Sequence, residues 1–511
     1  MMLDRTHIDA LARDLAAARF TSGGVAALLG EGATTALARM SAQPARRAAR
    51  RRPGALSTLV RSLWLGDAVD AAAMEEALPQ LGVDGAVSLG VLERRGDAVA
   101  PLLTIRPHAY ADARGEGSWW IVSDLDELAG VWPLRPDHVL GVGGAARTLA
   151  RLLPDAPHER ALDLGTGCGI VALHLRRIAE RVVATDISER ALWFAELTIA
   201  LNDVDGIELR QGSLFEPVAG ERFDLIASNP PFVITPRAEG VPAYEYRDGG
   251  ASGDAIMGAV VAGMVDHLEV GGQARLLGNW ESIGDATGLE RVRRWCAEPS
   301  ATPSGAGMDV WAIERESLSP AGYAELWLRD GGTLPRDPEH DRLLDAWLDD
   351  FETRGVREIG MGWLALRRRS GVASLERFER IGHAVQLEHV GSHLAAAFAD
   401  AAALTALDDD ALAATHLVVS PDVTEVRHQL PGAAGPTVIE LRQGGALGRT
   451  LSVDTALAGL VGACDGELAI GRLIAAIAGL LEVDADVLTA DLLPRVRELV
   501  VTGFLRGVSE Q

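Results

Sequence analysis

The stretch RALDLGTGCGIVALHLRRIAE, residues 160–180, restricts the fold more than any other part of this 511-residue chain. An apolar run of strand character passes through Gly165, Gly167 and Gly169 and straight into apolar residues at helical spacing. Glycines at a strand-to-helix turn let the backbone approach a ligand closely and leave helix N-terminal amides free to bind it. The spacing is G-x-G-x-G. Ile170 stands where the dinucleotide fingerprint G-x-G-x-x-G would have its third glycine. That disfavours NAD and a dehydrogenase.

The surroundings fit such a turn. Between Val139 and Arg369 the runs RALDLG, RVVATDI, IELRQGS, FDLIASN, QARLLGNW, DVWAIER and GWLALRRR alternate with helix-like segments. Alternation of this length calls for an α/β fold, a Rossmann-like seven-stranded, mostly parallel sheet with helices on both faces. Helices SPAGYAELWLRD and HDRLLDAWLDDFETRG precede GWLALRRR, which suits a late antiparallel edge strand. Before this region, two or three helices and a hairpin hinged at Gly96-Asp97 give a winged-helix pattern. After it, LERFERIGHAV opens a helical zone, TVIELRQ reads as β, and the closing helices again resemble a winged-helix unit. The expected domains are a winged-helix-like N-terminal domain over 1–134, a catalytic α/β domain over 135–370 and a helical, winged-helix-like C-terminal domain over 371–511.

Two further features join the glycine turn. Asp186 ends the next strand, RVVATD, 23 residues after Asp163, where a carboxylate can accept hydrogen bonds from both hydroxyls of a ribose. At the fourth strand end the apolar run FDLIA breaks into SNPPFVITP, residues 228–236. Proline cannot donate to a ladder and biases its predecessor away from helix, so the chain leaves this strand stiffly.

Together these residues resemble the class I S-adenosylmethionine-dependent methyltransferases, over roughly Val139 to Arg369. The resemblance implies that Asp163, Gly165, Thr166, Gly167 and Gly169 form the motif around the methionine part of the cofactor, and that Asp186 holds its ribose. Ser213 and Leu214 of GSLFEP fall where the family has an acid for the adenine; serine keeps one acceptor there. HVLGVGGAARTLARLL, with Gly143 and Gly144, resembles the segment that caps the cofactor. The SNPPF stretch is similar to the [N/D/S]-P-P-[Y/F/W] signature of enzymes that methylate nitrogen on planar groups, such as release-factor glutamines, adenine N6 or guanine N2. YEYRDGG, residues 244–250, is similar to the loop beyond NPPY in glutamine methyltransferases.

Asn229, Pro230 and Phe232 are the candidate catalytic residues. An amide or aromatic amine is a poor nucleophile until its hydrogens are held. Asn229 Oδ1 and the Pro230 carbonyl offer two acceptors at fixed separation, and Phe232 offers a stacking face. Asn229 also counts among the cofactor contacts. Asn279 and Trp280, ending the fifth strand, are placed at the acceptor pocket, whereas Trp119 and Trp120 read as core.

Charge bears on the acceptor. The net charge is −24, and all 48 basic residues are arginine. The absence of lysine excludes Schiff-base chemistry and a P-loop lysine. An acidic surface opposes nonspecific attraction to phosphate backbones, and the one candidate patch is Arg46, Arg47, Arg50, Arg51 and Arg52, read as a solvated helix face. The expected partner is a macromolecular methyl acceptor: a protein such as a release factor, or else RNA or DNA. A catalytically inactive winged-helix binding protein is the non-enzyme alternative. Cys168, Cys296 and Cys464 lack paired spacing, and His383, His389 and His393 do not form HExxH, so neither a disulfide framework nor a metal site is expected. The N-terminus lacks a continuous apolar h-region and Leu468–Val483 carries Arg472, so a soluble, cytoplasmic protein without a membrane span is expected.

Overall fold

The computed structural model describes residues 3–131, 134–297 and 307–507. The chain falls into two compact units, one of residues 1–150, 155–303 and 317–363, the other of 151–154, 304–316 and 364–511. The sheet strands are β1 (His158–Leu164), β2 (Ala179–Asp186), β3 (Ile207–Gln211), β4 (Phe223–Ser228), β5 (Leu268–Ile283), β6 (Met308–Leu318), β7 (Val356–Arg368) and β8 (Glu376–Arg380). Within the first unit the order is β7-β5-β4-β1-β2-β3; the second holds β8-β6-β7, with β7 running through both. Helices α1 (Gly144–Leu152), α2 (Ile170–Ile178), α3 (Glu189–Leu201), α4 (Ala255–His267), α5 (Gly288–Ala297), α6 (Pro320–Asp330) and α7 (His340–Arg354) connect them.

This corrects two expectations. Among the described residues there is a strand beyond the seven expected, because ERFER, expected to be helical, pairs parallel to β6 from Val310↔Glu376 to Glu314↔Arg380. Trp311 Nε1 donates to Glu379 Oε1 at 2.6 Å, and cross-strand contacts of this kind override a local helical preference. GWLALRRR lies inside the order, between β6 and β5, and is not an edge strand.

Register brings the carboxyl ends of the central strands level. Leu164 pairs with both Thr185 and Ser228, and Ser228 with Leu276, all in parallel ladders. Strand order reverses between β1 and β4, and a crevice opens where connections diverge from such a point. Neighbouring strands lie about 4.8 Å apart, so Asp186, Gly165 and Asn229, each the last residue of its strand or the first beyond it, form one row.

The N-terminal part of the first unit has helices up to Trp64, then Ala71–Ala77 and Gly82–Ser88, with a small sheet ordered Val69–Asp70, Ala98–Pro101, Leu92–Arg95. A long hairpin that the sequence did not announce follows, Thr104–Asp112 against Gly115–Ser123. Its outer strand is capped by α3: Asn202 Oδ1 accepts from Trp120 N at 2.8 Å, Asn202 Nδ2 donates to Trp120 O at 2.8 Å, and Thr198 Oγ1 accepts from Val122 N at 3.1 Å. Side chains thus satisfy an edge that would otherwise invite pairing. In the second unit, three-stranded sheets of 416–419, 465–469 and 505–507 and of 423–428, 438–443 and 450–453 accompany helices Val390–Thr405, Ile470–Leu481 and Ala485–Val501. Among the described residues no helix is long and apolar enough to cross a membrane.

Candidate active site

The crevice holds a cavity of about 730 Å³ whose lining includes Gly165, Thr166, Gly167, Asp186, Ser213, Leu214, Asn229 and Pro230. The structure therefore brings most of the predicted site residues together. Gly165 and Gly167 have φ of +82° and +54°, a region that side chains rarely occupy, and a Cβ on either would point into open space. Gly169, φ +84°, serves otherwise: its Cβ would meet Ala195 of α3 at 3.3 Å, so it lets two helices pack closely.

The turn is held by the acids on either side. Asp186 Oδ2 accepts from Gly167 N at 2.9 Å and its Oδ1 from Ser188 N at 3.0 Å. A carboxylate offers about four lone-pair sites, so two remain for a ligand. Burial pushes this carboxyl upward, against the hydrogen bonds from Ser188 and Gly167. Asp163 lies behind the lining, 1% exposed, and accepts from Thr166 Oγ1 at 2.6 Å. Burial first, and then the charge of Asp186, raise its carboxyl to about 7. The protonated form is thus favoured in the fold, a stabilisation complete below the unfolded value near 4 and lost as pH rises through 7. Asp163→Asn should therefore match the wild type in melting temperature at pH 4 and exceed it increasingly up to pH 7. A constant difference across that range would contradict this account.

At the end of β4, Ser228 Oγ donates to Leu164 O at 2.7 Å and pins the strand end to the glycine turn. Asn229 Oδ1 follows, buried and without a hydrogen-bond partner. An unsatisfied buried acceptor carries a cost of about 1–3 kcal/mol, and such groups point to a missing ligand. Phe232 is outside the cavity lining and packs against the cluster of Val233, Tyr323, Trp347 and Phe351. Packing there braces the turn, and Phe232→Ala should lower stability by about 2 kcal/mol, measured by urea unfolding.

Two segments close the cavity. In YEYRDGG, Glu245, Tyr246, Asp248, Gly249 and Gly250 line it. Arg247 anchors that loop from beneath: it is 6% exposed, lies 4.7 Å over the Tyr244 ring and donates to Trp327 O at 3.1 Å and Asp330 Oδ2 at 2.8 Å. Val233 N donates to Arg247 O at 2.8 Å and joins the loop to the proline turn. From the other side come Asp137 to Gly141, with Gly143. Asp124, just past the hairpin, accepts from Val139 N at 2.9 Å and pairs with Arg190 of α3. His138 to Gly143 belong to the HVLGVGG segment expected to cap the cofactor, whereas Asp137, Glu189 and this clamp lie outside the stretches singled out in the sequence, because their elements meet only through the hairpin.

Other expectations fall outside the cavity. Asn279 and Trp280 are buried core residues, and Asn279 Nδ2 donates to Tyr323 Oη at 2.7 Å, so neither lines the cavity as expected. Trp119 is buried and stacks on Tyr110 at 4.0 Å, in keeping with a core role. Arg46 donates to Leu65 O and Asp67, and Arg52 to Ala27 O, so two of the five arginines are spent internally. His383 Nε2 lies 2.8 Å from Leu447 O, and His393, pushed down to about 4 by burial, packs against Trp311.

Comparison with known proteins agrees with this geometry. Residues 141–282 match the family described as methyltransferase small domain, while residues 17–102 and 395–507 match two domains of unknown function, DUF7059 and DUF7782. The release factor glutamine methyltransferase of Xylella fastidiosa strain Temecula1 is 35% identical over 140 residues, 25% of this chain and 50% of that one. Its counterpart in Geobacter sulfurreducens is 36% identical over 127 residues, 23% and 44% of the two chains. The ribosomal protein L11 methyltransferase of Lactobacillus johnsonii is 38% identical over 104 residues, 19% and 32%. The chain spans half or less of the length of these relatives. Its central segment is a class I S-adenosylmethionine-dependent methyltransferase domain similar to release factor glutamine methyltransferases.

Proposed function

We propose that the chain transfers a methyl group from S-adenosylmethionine to the side-chain amide nitrogen, N5, of a glutamine in another protein. The observation that carries this is the unpartnered Oδ1 of Asn229 at the cavity, beside the rigid Pro230. In this reading the backbone of Gly165, Thr166 and Gly167 receives the methionine part of the cofactor, Asp186 the ribose hydroxyls, and Ser213 and Leu214 the adenine. The cofactor supplies an electrophilic methyl on a sulfonium.

The protein's task is to aim the amide. An amide nitrogen delocalises its lone pair, so the NH2 must be held with that lone pair toward the methyl carbon. Asn229 Oδ1 accepts one N–H and the Pro230 carbonyl the other, and the prolines restrict rotation of that carbonyl. Orientation of this kind is worth on the order of 7 kcal/mol.

Charge supports a neutral acceptor. Asp186, Glu189 and Glu245 line the cavity together with Asp137 and Asp248, which pair with Arg135 and Arg237, and Arg190, the one arginine among the described lining residues, is engaged by Asp124. Such a lining attracts a sulfonium, tolerates a glutamine and repels a phosphate backbone. The nucleic-acid alternative, a base N-methyltransferase, relies on the arginine run, of which Arg46 and Arg52 are engaged internally. Residues 1–134 and 371–511 are read as acceptor-binding domains around a catalytic 135–370. The helix, strand, helix, helix, strand, strand sequence from Ala55 to Pro101 supports a winged helix in the first.

The test incubates the protein with methyl-labelled cofactor and a cell extract, followed by digestion. Label should be released by protease and recovered on glutamine. Label released by nuclease would overturn the glutamine reading, and absence of cofactor binding by calorimetry would favour an inactive binding protein.

A further inference from the structure

A second cavity, about 400 Å³, is lined by Gly253, Asp254, Glu281, Arg291, Trp295 and Arg354. Two carboxylates form its buried wall, Asp254 at 3% exposure and Glu281 at 1%. Asp254 is engaged on both oxygens: Oδ2 accepts from Glu281 N at 3.0 Å and Arg291 Nε at 2.9 Å, and Oδ1 takes Arg291 Nη2. Arg354 engages all three nitrogens, with Nε and Nη2 on Asp350 and Nη1 on Glu281 Oε1. Glu281 Oε2 and Arg291 Nη1 are left without a hydrogen bond among the described residues. An acceptor atom and a donor atom without a partner in a single wall match the N–H and C=O of a peptide main chain.

The distance to the methylation site suits the same ligand. Gly250 lines the first cavity and Gly253 the second, and three Cα steps bound their separation at about 11 Å. Along the sheet, Ser228 pairs with Leu276; Asn229 is one residue beyond the first and Glu281 five beyond the second. The difference of four residues is about 13 Å in a strand. An extended polypeptide covers that in three to four residues.

We propose that this second cavity receives the main chain of the acceptor polypeptide three to four residues from the methylated glutamine, with Glu281 Oε2 accepting a backbone N–H and Arg291 Nη1 donating to a backbone carbonyl. This rests on the glutamine reading above. Trp295 supplies a flat apolar wall for the adjoining side chain.

The experiment compares two peptides on the full-length protein with S-adenosylmethionine: acetylated, amidated glutamine flanked by one alanine on each side, and the same flanked by four. For the wild type, kcat/KM should be at least tenfold higher for the longer peptide, through KM. Glu281→Gln disrupts the wall, and Gly253→Ala, at φ +58°, keeps every charged group while placing a methyl 2.7 Å from Glu281 Oε2 and 3.0 Å from Arg354 Nη1. Both should bring the ratio of the two kcat/KM values close to one. A wild-type ratio near one, or a ratio kept in either folded variant, overturns the subsite while leaving the glutamine reading intact. Transfer to neither peptide by the wild type, with label on nuclease-sensitive material in extract, overturns both.

Discussion

Asn229→Ala should lower kcat by a factor of about a thousand or more while changing the affinity for S-adenosylmethionine less than about threefold. A thousandfold is about 4 kcal/mol, a plausible share of the orientation that two fixed acceptors provide. The separation of the two effects follows from the geometry. Oδ1 of Asn229 is unpartnered in the protein, so truncation removes no internal hydrogen bond and relieves a buried unsatisfied group. In the reading proposed above, the cofactor's seat rests mainly on other strand ends, on the turn after β1 and on Asp186, with Asn229 at its margin. Asn229→Asp keeps an acceptor and should retain at least tenfold more activity than the alanine variant. Single-turnover transfer and calorimetry on the same preparations make the measurement. Unchanged turnover in Asn229→Ala would remove the amide from the mechanism, and loss of cofactor affinity would move it to the binding of the donor.

The division between what the sequence showed and what it concealed follows the range of the interactions. The glycine turn, Asp186 and the proline turn are legible because each is a local backbone requirement written in consecutive residues: positive φ at Gly165 and Gly167, a strand-end acid, a non-donating proline. The parallel register then places them in one row. Contacts made by distant segments are not legible. Asp124 reaches Val139 and Arg190 only because the hairpin is fastened to α3 through Asn202 and Thr198. ERFER reads as a helix until β6 offers it a partner, and Asn279 stays out of the cavity lining because Tyr323 claims its amide. Phe232 is a similar case: the signature names an aromatic residue, while the neighbouring apolar cluster decides where its ring rests.

Asp186→Ala should reduce affinity for S-adenosylmethionine at least a hundredfold, a loss of about 2.7 kcal/mol, and it should do so by two routes that can be told apart. The carboxylate uses one lone pair on Gly167 N and one on Ser188 N, and turns its remaining capacity toward the cavity. Alanine removes the ligand's acceptor and also frees the amide that fixes the glycine turn, so part of the loss is disorder of Gly165–Gly169. Asp186→Asn separates the two. Its single carbonyl oxygen can accept from Gly167 N, yet its NH2 meets the Ser188 amide donor to donor and offers a ribose hydroxyl no second acceptor. The asparagine variant should therefore keep the slow hydrogen exchange of the turn amides in the ligand-free protein and still lose about tenfold in affinity. A compound sharing the sulfonium and adenine but lacking both ribose hydroxyls should bind wild type and Asp186→Asn alike. If that compound distinguished them, Asp186 would act on the turn alone and not on the ribose.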